Sequence, residues 1–158
     1  MEGVLLWCGV IHMNRHIKKL VFLLAVLMLC AAVAGCQPKM PDKEDVFRFV
    51  EENQQMLLAE VHQKDYTQTM ENGMVAMIFE LEHAVNFYCG GEGVFDSSHM
   101  YGFYYSYDGQ AVGVSETEEW ADAADLTPSG NGYAGEYSGN QYYTEKICEN
   151  FWYYELHT

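Results

Sequence analysis

Between residues 43 and 64 the apolar positions Val46, Phe49, Val50, Leu57 and Val61 keep helical spacing, while Glu51, Glu52, Gln55 and Glu60 fall mainly elsewhere on the wheel. This pattern predicts an amphipathic helix whose stripe, flanked by Phe47, Met56 and Leu58, packs into a core. Asp42 stands where an N-cap accepts the first free amides. Glu44 and Asp45 occupy the first turn, where the helix dipole favours acids.

Beyond Asp65 the helical spacing gives way to short β-rich runs broken by glycine, asparagine and aspartate. Runs at 74–79, 84–89, 99–107, 110–114, 132–138, 141–147 and 151–157 predict strands joined as an antiparallel meander. Asp108-Gly109 has the chemistry of a tight hairpin turn, so 110–114 is expected to fold back from 99–107. Residues 80–83, Gly139-Asn140 and Glu149-Asn150 supply the other turns, and 115–131 is expected to be a long acidic loop around Trp120. The predicted class is α+β, an N-terminal helix packed on a predominantly antiparallel, tyrosine-rich sheet.

Upstream of the helix the periodicity disappears into an uncharged run at 20–34, preceded by Arg15, Lys18 and Lys19 and closed by Val33-Ala34-Gly35-Cys36. The run is short of the roughly 20 apolar residues a membrane-crossing helix needs. It ends in small residues before a cysteine, which disfavours an uncleaved helix and fits a lipoprotein export signal over 1–35. Met13 opens a complete basic n-region, so translation is expected to start there and not at Met1. In the bacterial lipoproteins this segment resembles, the cysteine at the position of Cys36 carries a diacylglycerol thioether and often an N-acyl chain such as palmitate. Two or more chains suffice for stable anchoring at ~0.8 kcal/mol per buried CH2. Residues 36–41 would then form a lipidated tether, and 42–158 a single globular domain on the extracytoplasmic face of the cell membrane.

Charge narrows the partners. From Cys36 onward five bases (Lys39, Lys43, Arg48, Lys64, Lys146) face 22 acids, a formal charge of −17. Phosphate binding needs clustered Lys and Arg, so nucleic acid is excluded as a partner. Past Lys64 the only base is Lys146, and most carboxylates there must be solvated, bind cations or face a basic partner.

Cys89 and Cys148 are the two thiols left after the leader and Cys36. In an exported domain they are a candidate disulfide, with two buried free thiols as the alternative. From Val85 to the end, 17 of 74 residues are aromatic and eleven of these are tyrosine, more than one core is expected to bury. Tyr104, Tyr105, Tyr142, Tyr143, Tyr153 and Tyr154 are therefore a candidate binding surface for a cationic envelope protein or a glycan. Cross-strand aromatic pairing is the competing use.

Catalytic chemistry would have to start from Cys89, His83, His99 or His157, and none lies in a recognisable local signature. Ser97-Ser98-His99 lacks a nucleophile elbow, and the part after Cys36 has no CxxC, HxxxH or HExxH for zinc. Glu116, Glu118, Glu119, Asp122 and Asp125 lack the alternating spacing of a calcium loop. Gly90-Gly91-Glu92-Gly93 lacks the Lys and Ser/Thr of a phosphate loop. No catalytic residue, metal or cofactor is assigned. The expected function is a non-enzymatic binding or interaction module of the envelope. The alternatives are a small envelope enzyme using Cys89 or a histidine, and an envelope inhibitor or protective protein.

Phe87-Tyr88-Cys89-Gly90-Gly91, Tyr101-Gly102-Phe103-Tyr104-Tyr105-Ser106, Tyr142-Tyr143-Thr144-Glu145-Lys146-Ile147 and Phe151-Trp152-Tyr153-Tyr154-Glu155 follow one another along most of the domain. The succession resembles a group of small, uncharacterised lipoproteins of Gram-positive, clostridia-like bacteria. The resemblance implies an envelope location and carries no activity, cofactor or catalytic residue with it.

Overall fold

The computed structural model describes residues 41–157 other than 94–97, 116–117 and 123–124. The expected signal over 1–35, lipidated Cys36, all of the tether except Pro41, and Glu116 lie outside the described residues.

Helix α1 (Lys43–Gln63) forms where the periodicity puts it. Its start is a reciprocal capping box: the Asp42 carboxylate accepts from the Asp45 amide at 3.0 Å, and the Asp45 carboxylate accepts from the Asp42 amide at 3.3 Å. Lys64, in the left-handed region at φ 55°, ends it. A short helix, α2 (Thr67–Asn72), follows. It has no apolar stripe to announce it and is held by buried Glu60, whose carboxylate accepts from the Gln68 and Thr69 amides and the Thr69 hydroxyl.

The strands are β1 (Met77–Glu80), β2 (Ala84–Gly93), β3 (Ser98–Ser106), β4 (Gly113–Val114), β5 (Glu119–Ala121), β6 (Thr127–Ser129), β7 (Gly132–Tyr137), β8 (Asn140–Cys148) and β9 (Phe151–His157). Seven form one antiparallel sheet in the order β1-β2-β3-β9-β8-β7-β6, and β4 pairs with β5 alone. Two departures from expectation follow. The hairpin expected at Asp108-Gly109 does not return to β3; β9 takes that place, opposing Phe103 with Tyr153 and Tyr104 with Trp152. The reason lies in β9 itself: Phe151, Trp152, Tyr153 and Tyr154 are apolar in succession, so the strand must be covered on both faces and belongs at the sheet centre. The stretch 115–131, expected as a loop, contains β5 and β6.

Each sheet face carries its own core. On one, Val46, Phe49, Val50, Leu57 and Val61 of α1 pack on Phe87, Phe103, Phe151 and Tyr153. On the other, the chain after β3 crosses the sheet as a strap, setting Ala111, Val112, Val114 and Leu126 over Tyr104, Tyr142, Trp152 and Tyr154. The strap has no strand beside residues 111–112, and side chains answer its backbone groups instead. Tyr104 Oη accepts from the Val112 amide at 3.1 Å; Tyr142 Oη donates to the Val112 carbonyl at 2.9 Å and accepts from the Val114 amide at 3.3 Å. Asn86 Nδ2 donates to the Ser115 carbonyl at 2.6 Å.

This double covering overturns the tyrosine surface. Tyr104, Tyr105, Tyr142, Tyr153 and Tyr154 are all buried, divided between the two cores, and only Tyr143 is half-exposed. The candidate disulfide is corrected as well, because Cys89 and Cys148 are free thiols. Cys89 lies on β2 and Cys148 on β8, three strand spacings apart in the sheet order, or about 14 Å, twice the reach of a disulfide.

If the hydroxyls hold the strap, Tyr142→Phe should destabilise the domain by ~2 kcal/mol in urea unfolding, since it strands two backbone groups in the second core. Tyr105→Phe, at a ring in the core on the opposite face from Val112 and Val114, should stay within about 0.5 kcal/mol.

Candidate functional site

Alternation along β9 places Tyr153, Glu155 and His157 on the α1 side of the sheet. On β3, His99 stands directly opposite His157, and Tyr101 opposite Glu155. Two histidines far apart in sequence thereby meet across one strand pair. Their rings stack at 4.3 Å with planes 4° apart. Both Nε2 atoms approach the same carboxylate oxygen, Glu155 Oε2, at 2.9 Å from His157 and 3.7 Å from His99. The other oxygen, Oε1, accepts from Tyr153 Oη at 2.8 Å, which fixes the carboxylate from the core side. His99 Nε2 is shielded from solvent and, among the described residues, has no hydrogen-bond partner. Burial raises the Glu155 carboxyl, yet the hydrogen bonds from His157 and Tyr153, with the charges of His99 and His157, outweigh it and hold the group below the usual carboxylate range. One donor atom from each of the three residues lies within 4.8 Å of the others, and among the described residues these three form the only such group.

Beside this corner the remaining tyrosine candidate is engaged within the molecule. Lys43, in the first turn of α1, sets its ammonium 5.2 Å from the Tyr143 ring and 5.4 Å from the Tyr153 ring, with Phe47 at 5.5 Å. Glu145 accepts from both Lys43 and Tyr143. The aromatic cage a cationic partner would seek is thus filled by the chain's own lysine.

The acidic stretch around Trp120 builds a cleft of about 440 Å³ lined by Glu82, His83, Glu119, Trp120, Asp122 and Asp125 among others. Trp120 packs edge-on against Tyr142 at 5.0 Å and lies against Gly113 and Gly135. A Cβ at Gly113 would fall 2.6 Å from the indole, and one at Gly135 2.8 Å from it, so glycine is required on both sides. His83 closes the cleft: Glu119 accepts from its amide at 2.7 Å and meets its Nδ1 at 3.0 Å. That hydrogen bond, reinforced by the charges of Glu119, Glu82 and Asp122 against a smaller desolvation effect, raises the His83 pKa.

Of the residues singled out in the sequence, His99 and His157 come together, His83 joins Glu119, and Cys89 lies in the α1 core. Burial pushes the Cys89 thiol up to about 12, leaving it protonated at neutral pH. Glu155 went unremarked in the sequence. Its signal was available as Glu155-Leu156-His157, a carboxylate and an imidazole two residues apart on a strand and therefore on one face. Comparison with models of protein families, with curated proteins and with solved structures finds no match.

The His83 contact has a measurable pH signature. Followed by NMR, the imidazole should titrate above the ordinary histidine range, and Glu119→Gln should bring it down. Because the folded-state pKa is raised, the contact contributes fully below the unfolded histidine's pKa and is lost as pH rises through the folded value. A titration unmoved by Glu119→Gln would separate the two groups.

Proposed function

We propose that this chain is an extracytoplasmic lipoprotein, anchored to the cell membrane through lipidated Cys36, whose domain binds a cationic ligand without catalysing a reaction. The anchor rests on one observation, the basic segment and short uncharged run that close on Val33-Ala34-Gly35-Cys36. Helix α1 begins seven residues after Cys36, which leaves a short tether between the proposed anchor and the domain.

The cationic ligand is supported by the fate of the bases. Among the described residues Lys43 pairs with Glu145, Arg48 with Asp45 and Lys64 with Glu80, while Lys146 lies over the Trp152 ring at 5.4 Å. All four described bases are engaged within the molecule, and most carboxylates therefore have no lysine or arginine partner. Against the competing thiol enzyme stands the buried, protonated Cys89. A histidine-based enzyme lacks a comparable objection, and turnover dependent on His99 or His157 would favour it.

Metabolic labelling with palmitate tests the anchor. Cys36→Ser should abolish label and leave the protein unprocessed or shed from the membrane; a mutant that still carries label refutes lipidation at Cys36. Translation from Met13 alone should give the same mature product, and failure to process would assign residues 1–12 to the signal.

A further inference from the structure

We propose that His99, Glu155 and His157 bind a divalent transition-metal cation of the zinc type, with its remaining coordination positions open to solvent. The inference names the ligand class of the binding role above and rests on that reading, whereas the lipid anchor stands or falls separately at Cys36.

Three observations carry it. The first is convergence. Donors held tetrahedrally on zinc at ~2.1 Å stand about 3.4 Å apart, and the Nε2 atoms of His157 and His99 lie 2.9 and 3.7 Å from Glu155 Oε2. The second is the unsatisfied nitrogen. His99 Nε2 is shielded from water and faces a carboxylate oxygen beyond hydrogen-bond range, an arrangement that is costly for an imidazole alone and is relieved by an ion between them. The third is the outer shell: Tyr153 Oη donates to Oε1 and leaves Oε2 directed at the histidines, as the partners of metal-binding carboxylates do.

The donor set selects the class of ion. Two imidazoles and one carboxylate suit zinc and its first-row neighbours, while calcium and magnesium prefer oxygen shells. Side-chain exposures of 37 % at His99 and 48 % at His157 leave room for water or a ligand atom from outside to complete the coordination. Moving from stacked rings to a shared ion requires both imidazoles to rotate so that each lone pair points at the metal. The strand register, which sets the histidines opposite one another, need not change.

The test is calorimetric titration of the purified full chain in detergent with Zn²⁺, and with Mg²⁺ as a control. One saturable zinc site is expected, with no heat from Mg²⁺ at the same concentrations. His99→Ala, His157→Ala and Glu155→Gln should each weaken that site by at least ~100-fold. Tyr153→Phe, which keeps all three donors, should weaken it by roughly 10-fold, within the range for outer-shell partners. Imidazole nitrogen shifts of His99 and His157 on zinc addition would report ligation independently of affinity. Absence of a saturable zinc site in the parent overturns the proposal, as does zinc binding undiminished in the folded His99→Ala and His157→Ala variants, which would place the metal elsewhere on the chain.

Discussion

The sheet is covered on both faces, and the second cover depends on tyrosine hydroxyls. A helix satisfies its own backbone, so α1 lies on the first face without needing side chains of the sheet to answer its peptide groups. The strap on the second face cannot do so. Its Val112 and Val114 groups are buried, and they are answered by the Oη atoms of Tyr104 and Tyr142, while Thr144 Oγ1 joins Tyr104 Oη at 2.9 Å and donates to the Tyr153 carbonyl at 2.7 Å. Phenylalanine would fill the same volume and leave those groups unpaired, at a cost of 1–3 kcal/mol each. At positions 104 and 142 tyrosine is needed because the second core is roofed by irregular chain.

That dependence explains where the sequence was legible and where it was not. Helix α1 and six of the expected strand regions could be read from period and turn residues, since both are local. Strand order was not local. Nothing near Asp108-Gly109 shows that the chain leaves the sheet there; the information lies some forty residues on, in the unbroken apolar run of β9. The burial of the tyrosines is non-local in the same way. A single helix cannot cover a seven-stranded sheet, and a surplus of rings looks like a surface until the strap is recognised as a second roof.

The candidate site divides along the same line. Glu155 and His157 are related by strand alternation and could have been paired from sequence, but His99 enters only through the β3–β9 register. Motif spacings such as HxxxH describe ligands on one helix. Ligands on neighbouring antiparallel strands have no fixed separation, because the connection between them can be any length; here it is the strap, β4 through β8 and their turns. The cysteines illustrate the converse. Two thiols in a domain expected to be exported suggest a bridge, yet two strands lie between β2 and β8 and hold the thiols apart.

Two closed cores also settle what the surface can offer a ligand. Nearly every large aromatic side chain in the central strands is buried, and the rings of Phe47, Tyr143 and Tyr153 already surround Lys43. Recognition through stacked rings, the usual use of exposed tyrosine, has little left to work with. Carboxylates, half-exposed histidines and strand ends remain. Both clusters that combine these elements, the His99–Glu155–His157 corner and the cleft at His83, pair an imidazole with a glutamate, and all four described lysines and arginines are engaged elsewhere. By closing both faces, the aromatic side chains leave polar groups at the sheet's edge as the chemistry that solvent can reach.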